Sequence, residues 1–193
     1  MRLTNTDRDW GPVAKTFHWI VAIAIVANVT LGLWAVELPL SPRKLEVFYW
    51  HKSVGLTILW LVALRVLWRL TNPTPRLPPA MPAWERVGAH AGHALLYVLM
   101  IAMPVTGWVI NSAANFPLDL YGFLPVPDLV PTGPHEPAIE DAARAAHYWM
   151  FITICVLLTV HVAAAIKHQL VDRDDVLRRM VPFARARDPR RGE

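Results

Sequence analysis

Cysteine is nearly absent from this chain. The one residue, Cys155, lies inside an apolar stretch, so no internal disulfide frames the fold and thiol usage says nothing about redox compartment. Charge is scarce too, at 18% of residues against 54% hydrophobic. That balance excludes a disordered chain and suits one compact membrane domain rather than a soluble domain with a tail. No glycine-rich phosphate loop and no nucleotide fingerprint is found among the nine glycines, and no nucleophile stands beside a base in a known motif. Hydrolase and dehydrogenase chemistry within the chain are argued against on that ground. Tandem repeats are missing, and low complexity is confined to proline-rich connections.

What the chain does have is long apolar runs. Four of them, about 18–36, 48–70, 88–110 and 146–166, reach the roughly 20 residues that cross a hydrocarbon core. The expectation is an all-α integral membrane protein, a four-transmembrane-helix bundle forming a single domain over 1–193 with a basic tail over 167–193. The first run follows a basic N-terminus, as a signal peptide does. It is longer than a signal core and no convincing A-x-A site follows it, so it is read as retained. Pro73, Pro75, Pro78, Pro79 and Pro82 end the second helix and hold a short connection extended. The longer connection over 111–144 carries prolines among aromatic and acidic residues, and reads as a lid with a short amphipathic helix at Ala138–Ala145.

Charge sets the orientation. Fifteen Lys/Arg fall on the N-terminal segment, the second connection and the tail; four (Arg43, Lys44, Lys52, Arg144) fall on the other side, beside seven acids. The positive-inside rule then puts both termini in the cytoplasm. Most of the basic excess is topological, so nucleic acid is not expected as a partner, and the run Arg185–Arg191 needs no specific role.

The histidines sort by depth. The first span runs outward from His18, the second inward from His51, and the fourth inward through His147 and His161. His51 and His147 thus meet near the outer surface, His18 and His161 near the inner one. The last two ligand candidates on one helix are fourteen residues apart, nearly four turns, so they face one way at two levels roughly 21 Å apart. Ionisable groups are costly in a membrane, and four that pair by level point to ligation. Two imidazoles with no thiolate or carboxylate in reach make a poor closed zinc site. They do complete the axial coordination of a haem, a six-coordinate arrangement that favours electron transfer over oxygen binding. Haem propionates want cations: Arg65 and Arg69, one turn apart at the inner end of the second span, and Lys52 and Arg144 flanking the outer pair, are the candidates. Small residues beside the ligands, among them Gly55 one turn beyond His51, let a flat macrocycle approach the backbone, although they also pack bare membrane helices.

Phe17-His18-Trp19, Trp50-His51-Lys52-Ser53-Val54-Gly55, Arg65-Val66-Leu67-Trp68-Arg69, Gly92-His93, Ala146-His147-Tyr148-Trp149 and the run from His161 to His168 together resemble the bacterial cytochrome b561 family. The placing of the four ligands is similar also to the membrane cytochrome b subunits of nickel-iron hydrogenases and formate dehydrogenases. The resemblance implies two b haems with bis-histidine ligation, a quinone such as ubiquinone near the cytoplasmic haem, and electrons crossing the bacterial inner membrane between the two. It also brings superoxide as a periplasmic-side donor, against which the acidic outer face counts on average unless Lys52, Arg43 and Lys44 form a local basic funnel. His93 matches a position of the family and is read either as a quinone or supporting residue or as a packed histidine. His168, seven residues beyond His161, is the rival inner ligand, or a partner for propionate or quinone at the membrane edge. His90 and His135 are read as solvated, and most of the nine tryptophans as interfacial belt. Two other functions are kept in view: a haem-bearing anchor subunit serving a separate redox partner protein, favoured by the long outer connection, and a histidine-lined metal transporter, disfavoured by the apolar middle of the spans.

Overall fold

A computed structural model describes residues 3–130 and 135–184. Four long helices dominate: α1 (Pro12–Glu37), α2 (Pro42–Thr71), α3 (Ala83–Ala113) and α4 (Pro137–Lys167). Three open on a proline, whose missing N–H is not needed at a first helical position and whose φ is already helical. Ser41 caps α2 by accepting the Lys44 N–H at 3.3 Å. α1 and α2 stop just short of Leu38-Pro39 and Asn72-Pro73, where the residue before proline is pushed out of the helical region.

All four helices are long and apolar enough to cross a membrane, and only 6–17% of the most apolar window of each is buried within the protein. Ile23, Val26, Trp60 and Val156 stand more than half exposed. Such a surface is stable only against hydrocarbon, so the chain is an all-α membrane protein with four spans. The helices overrun the expected spans at both ends. The separate amphipathic helix expected over Ala138–Ala145 is instead the first two turns of α4, which starts at Pro137 and runs unbroken.

Among the described residues the one strand pair lies in the α3–α4 connection: β1 (Asp119–Leu120) and β2 (Leu124–Pro125), antiparallel with Leu120 facing Leu124. Its turn needs left-handed backbone at Tyr121 (φ +54°) and Gly122 (φ +77°). Beyond α4 the chain makes a π-helical turn over His168–Asp172.

The chain folds as two compact units, Met1–Ile20 with Leu64–Leu96 and Cys155–Glu193, and Val21–Ala63 with Tyr97–Ile154. Each takes a stretch of all four helices. The first is called the inner unit after the side to which the lysine and arginine count assigns its segments; the second, the outer unit, holds the hairpin.

Candidate haem-binding sites

In the outer unit His51 and His147 face each other with ring centroids 6.4 Å apart. Each ring is held by its Nδ1. The Asn28 carbonyl lies 3.0 Å from His51 Nδ1 and can only accept, so that nitrogen carries the proton. Thr106 Oγ1 donates to the Met103 carbonyl at 2.8 Å and is therefore the acceptor for His147 Nδ1 at 3.0 Å. Both Nε2 atoms keep their lone pairs, the tautomer a metal ligand needs. Glycines make room for the rings: a Cβ at Gly32 would come within 2.9 Å of His51 Cε1, and one at Gly107 within 3.4 Å of His147 Cε1.

The inner unit gathers three histidines. His18 and His161 have ring centroids 6.3 Å apart, and His93 on α3 stands 5.6 Å from His161. A metal held between two imidazoles at about 2 Å from each nitrogen, with roughly 1.1 Å from nitrogen to ring centre, spaces the centroids roughly 6.2 Å apart. His18 with His161 and His51 with His147 fit that spacing, whereas His93 with His161 is too close.

Arg65 Nη2 donates to His18 Nδ1 at 3.1 Å. Ligation through Nε2 puts a proton on Nδ1 and so requires Arg65 to turn away, which a carboxylate, the stronger acceptor for guanidinium, can bring about. Trp68 Nε1, on the same face of α2 one turn from Arg65, is buried with no acceptor. Two cations and an unused donor within one turn and a half fit a propionate, so the residues present are compatible with haem at the inner pair as at the outer.

The other expected contacts are placed as follows. Arg69 lies over the Trp10 ring, 5.8 Å from its centroid. Lys52 reaches Asn111 Oδ1 at 2.5 Å and the Phe116 ring at 5.8 Å. His168 is buried in an ion-pair cluster, its Nδ1 2.8 Å from Asp174 and 3.0 Å from Asp172, while Lys167 bridges Glu85 and Asp172 at 2.6 and 2.9 Å. The ligand atoms of Glu85, His168 and Asp172 lie within 4.8 Å of one another, and the Lys167 ammonium already meets two of them. Gly55, expected beside the porphyrin, has the Asn28 amide 3.5 Å from the position of a Cβ. Arg185–Arg191 lies outside the described residues.

Thr106, the Asn28 carbonyl, Gly32 and Gly107 are what sequence reasoning missed. Glycine within an apolar span was the available signal for the last two; a threonine that also bonds its own turn leaves none.

The description "prokaryotic cytochrome b561" matches residues 9–183. Cytochrome b561 homolog 2 of Escherichia coli (strain K12) is 35% identical over 186 residues, 94% of this chain and 95% of that one. A Yersinia pestis protein named probable superoxide oxidase CybB is 30% identical over 176 residues, 87% of this chain and 93% of its own. Cytochrome b561 homolog 1 of Escherichia coli (strain K12) is 25% identical over 169 residues, 86% and 92% of the two chains. With four membrane-crossing helices, these likenesses make the protein a multi-pass resident of the bacterial inner membrane. Its match over nearly the whole length establishes that the chain belongs to the prokaryotic cytochrome b561 family, whose members transfer electrons across the membrane with b-type haem.

Proposed function

We propose that the chain holds two b haems, one between His51 and His147 and one between His18 and His161, and that it carries electrons from superoxide at the periplasmic side to a quinone at the cytoplasmic side. The observation that carries this reading is the pair of ring separations, 6.4 and 6.3 Å. Each haem, when bound, supplies a one-electron carrier, and the protein supplies its orientation and electrostatics. Superoxide as donor rests on the name of the Yersinia pestis relative, 30% identical. The reaction balances when two superoxide ions each lose one electron to give oxygen and one quinone takes both electrons with two cytoplasmic protons.

The outer cations suit this unequally. Arg43 pairs with Glu46 at 2.9 Å and Arg144 with Glu140, so their charge is largely cancelled. Lys44 donates to the Val36 and Leu38 carbonyls and Lys52 to the Asn111 amide oxygen. Those acceptors are neutral, and the Lys52 charge, next in sequence to His51, is the one that draws an anion to the outer pair. At the inner side Arg65, Arg69 and Trp68 hold propionates, and His93 and His168 border the quinone.

A separate anchor-subunit role draws less support. The long outer connection spends its polar groups on its own chain: Tyr121 OH with Thr57 Oγ1 at 2.9 Å, Trp108 Nε1 to the Pro127 carbonyl at 2.8 Å, and the Leu129 N–H to Ser112 Oγ at 3.0 Å.

The deciding experiment is a pyridine haemochrome assay on the detergent-purified chain, followed by quinol formation from enzymatically generated superoxide and ubiquinone-1. Two b haems per chain and superoxide-dependent quinol formation are expected. Two haems with no such turnover would favour the anchor role, and a chain that takes up no haem would refute the reading outright. Thr106→Val carries a finer test. It removes one of the two groups, the Thr106 hydroxyl and the Met103 carbonyl, that hydrogen-bond the His147 ring, and loss of such a supporting bond weakens metal binding by up to roughly 10–100-fold. A less basic imidazole stabilises ferric iron less, so a higher midpoint potential, or a lower occupancy, is expected for one haem alone in a spectroelectrochemical titration, and two unmoved potentials would remove Thr106 from the site.

A further inference from the structure

The inner unit contains a cleft that electron transfer does not use. Its volume is about 340 Å³ and it is lined by Asp7, Arg8, Arg76, Leu77, Pro79 and Arg179. Three separate segments build it: the one preceding α1, the α2–α3 connection, and the stretch beyond the π-helical turn. They are tied together by hydrogen bonds to their backbone carbonyls. The Arg76 N–H donates to the Asp7 carbonyl at 2.9 Å, Arg179 Nη1 donates to the Arg76 carbonyl at 2.8 Å, and Asn5 Nδ2 donates to the Pro73 carbonyl at 3.0 Å. Lys15, on the first turn of α1, holds the Val181 and Ala184 carbonyls at 3.1 and 2.5 Å, which fixes the segment bearing Arg179. The cleft is therefore prearranged and does not depend on side-chain packing alone.

Its charge is unbalanced. Three guanidiniums line it against one carboxylate, and the Asp7–Arg76 pair is 3.5 Å long with both side chains mostly exposed, 68% and 84%. A pair of that kind contributes little and leaves both partners free to exchange. Arg179 Nε is buried without an acceptor, a costly state for a charged donor. Topological charge alone asks for cations scattered over the cytoplasmic face; it does not ask for three of them around one concavity whose walls are hydrogen-bonded together. Guanidinium matches phosphate through its planar fork of donors.

The surroundings decide which phosphate. α2 ends at Thr71 and α3 begins at Ala83, so the connection that carries Arg76 lies just past the membrane-crossing helices. Leu67 and Leu70, on the last turns of α2, are 60% and 77% exposed and face hydrocarbon, and Leu77 and Pro79 give the cleft an apolar wall. A phosphate attached to acyl chains meets both surfaces, and a free anion meets one. We propose that this cleft binds the phosphate of an anionic phospholipid headgroup in the cytoplasmic leaflet. Basic residues at that surface add about fivefold per charge, so the two net cations here give roughly thirtyfold preference for an anionic over a zwitterionic lipid.

The test uses the full haem-loaded chain in detergent and reads lipid binding, which is independent of the donor and the quinone. Native mass spectrometry and thermal unfolding are run with added phosphatidylglycerol, phosphatidylcholine or inorganic phosphate. Phosphatidylglycerol is expected to stay bound and to raise the unfolding temperature by about 3 °C or more, with phosphatidylcholine and inorganic phosphate inert. The double variant Arg76→Gln, Arg179→Gln should lose that response while keeping its haem spectrum. Arg8→Gln, in the exposed segment before α1, should weaken it in part and serves if the double variant fails to fold. Equal stabilisation by phosphatidylcholine, full replacement of the lipid by inorganic phosphate, or an undiminished response in Arg8→Gln would each overturn the assignment.

Discussion

Replacing His147 by alanine is expected to remove one of the two proposed b haems and to leave the other's spectrum and potential in place. The variant loses the imidazole that stands 6.4 Å from His51 across the outer site, and no other histidine contacts that pair among the described residues. The Thr106 hydroxyl keeps its bond to the Met103 carbonyl, so the helix itself is unharmed. The inner histidines belong to the other compact unit, whose hydrogen bonds the substitution does not touch. The haemochrome value per chain should therefore fall by half, with the remaining haem titrating at its original potential. His168→Ala is the control for the inner pair. Its ring bonds to Asp172 and Asp174 rather than approaching His18, so the substitution should cost about 1–3 kcal/mol of stability and spare both haems. A chain that lost a haem on replacing His168, and none on replacing His161, would move the inner ligand seven residues along the chain, from α4 into the π-helical turn.

The depth of each histidine was legible before any coordinates because a membrane helix leaves little freedom along its axis. Span boundaries follow from apolar length, direction from the Lys/Arg count, and level from a fixed rise per residue. Those three rules suffice to put His51 level with His147 and His18 level with His161. Rotation about the axis is another matter. Which way α3 turns His93, and hence its 5.6 Å approach to His161, depends on packing among helices distant in sequence. So does the contact between Gly55 and Asn28. Long cations were the least legible. Arg65, Arg69 and Lys52 were assigned by level to propionates, and each has several rotatable bonds that let it reach a histidine, a tryptophan and an asparagine respectively. Their level was readable, but the protein groups they meet besides a propionate were not.

The connections show the same limit from the other side. Proline content ended the second helix correctly near Thr71, since that effect is local to the residue before each ring. The fold of the α3–α4 connection is not local. Tyr121 takes a left-handed conformation, uncommon for a residue with a side chain, and its hydroxyl is held by Thr57 while its N–H donates to Ser53 Oγ at 3.3 Å. Ser53 and Thr57 sit more than sixty residues earlier on α2, and nothing in the short string around Tyr121 announces them.

A second large effect is expected where no ligand is touched. Gly32→Ala should reduce occupancy of the outer haem severely, whereas Gly107→Ala should change it little. The two glycines sit on α1 and α3, against His51 and His147 respectively. The added Cβ meets His51 Cε1 at 2.9 Å in the first case, closer than such atoms approach, and His147 Cε1 at 3.4 Å in the second, an ordinary contact. Overlap with the far end of a flexible side chain is usually relieved by rotation. Here rotation is opposed, because the His51 ring is pinned through Nδ1 to the Asn28 carbonyl at 3.0 Å and, with haem bound, through Nε2 to iron. Relief therefore means breaking one of the two, and the axial bond demands the stricter geometry, so the haem is the part that gives way. Helix propensity works against this outcome, since alanine in place of an interior glycine favours the helix by about 1 kcal/mol. The variant should thus fold at least as well as the parent while binding less haem, a combination that general destabilisation does not produce. Circular dichroism with haemochrome on Gly32→Ala, Gly107→Ala and the parent separates the cases. Equal haem content in all three would mean that His51 has room to move, and the outer pair would then need another reason for its two glycines.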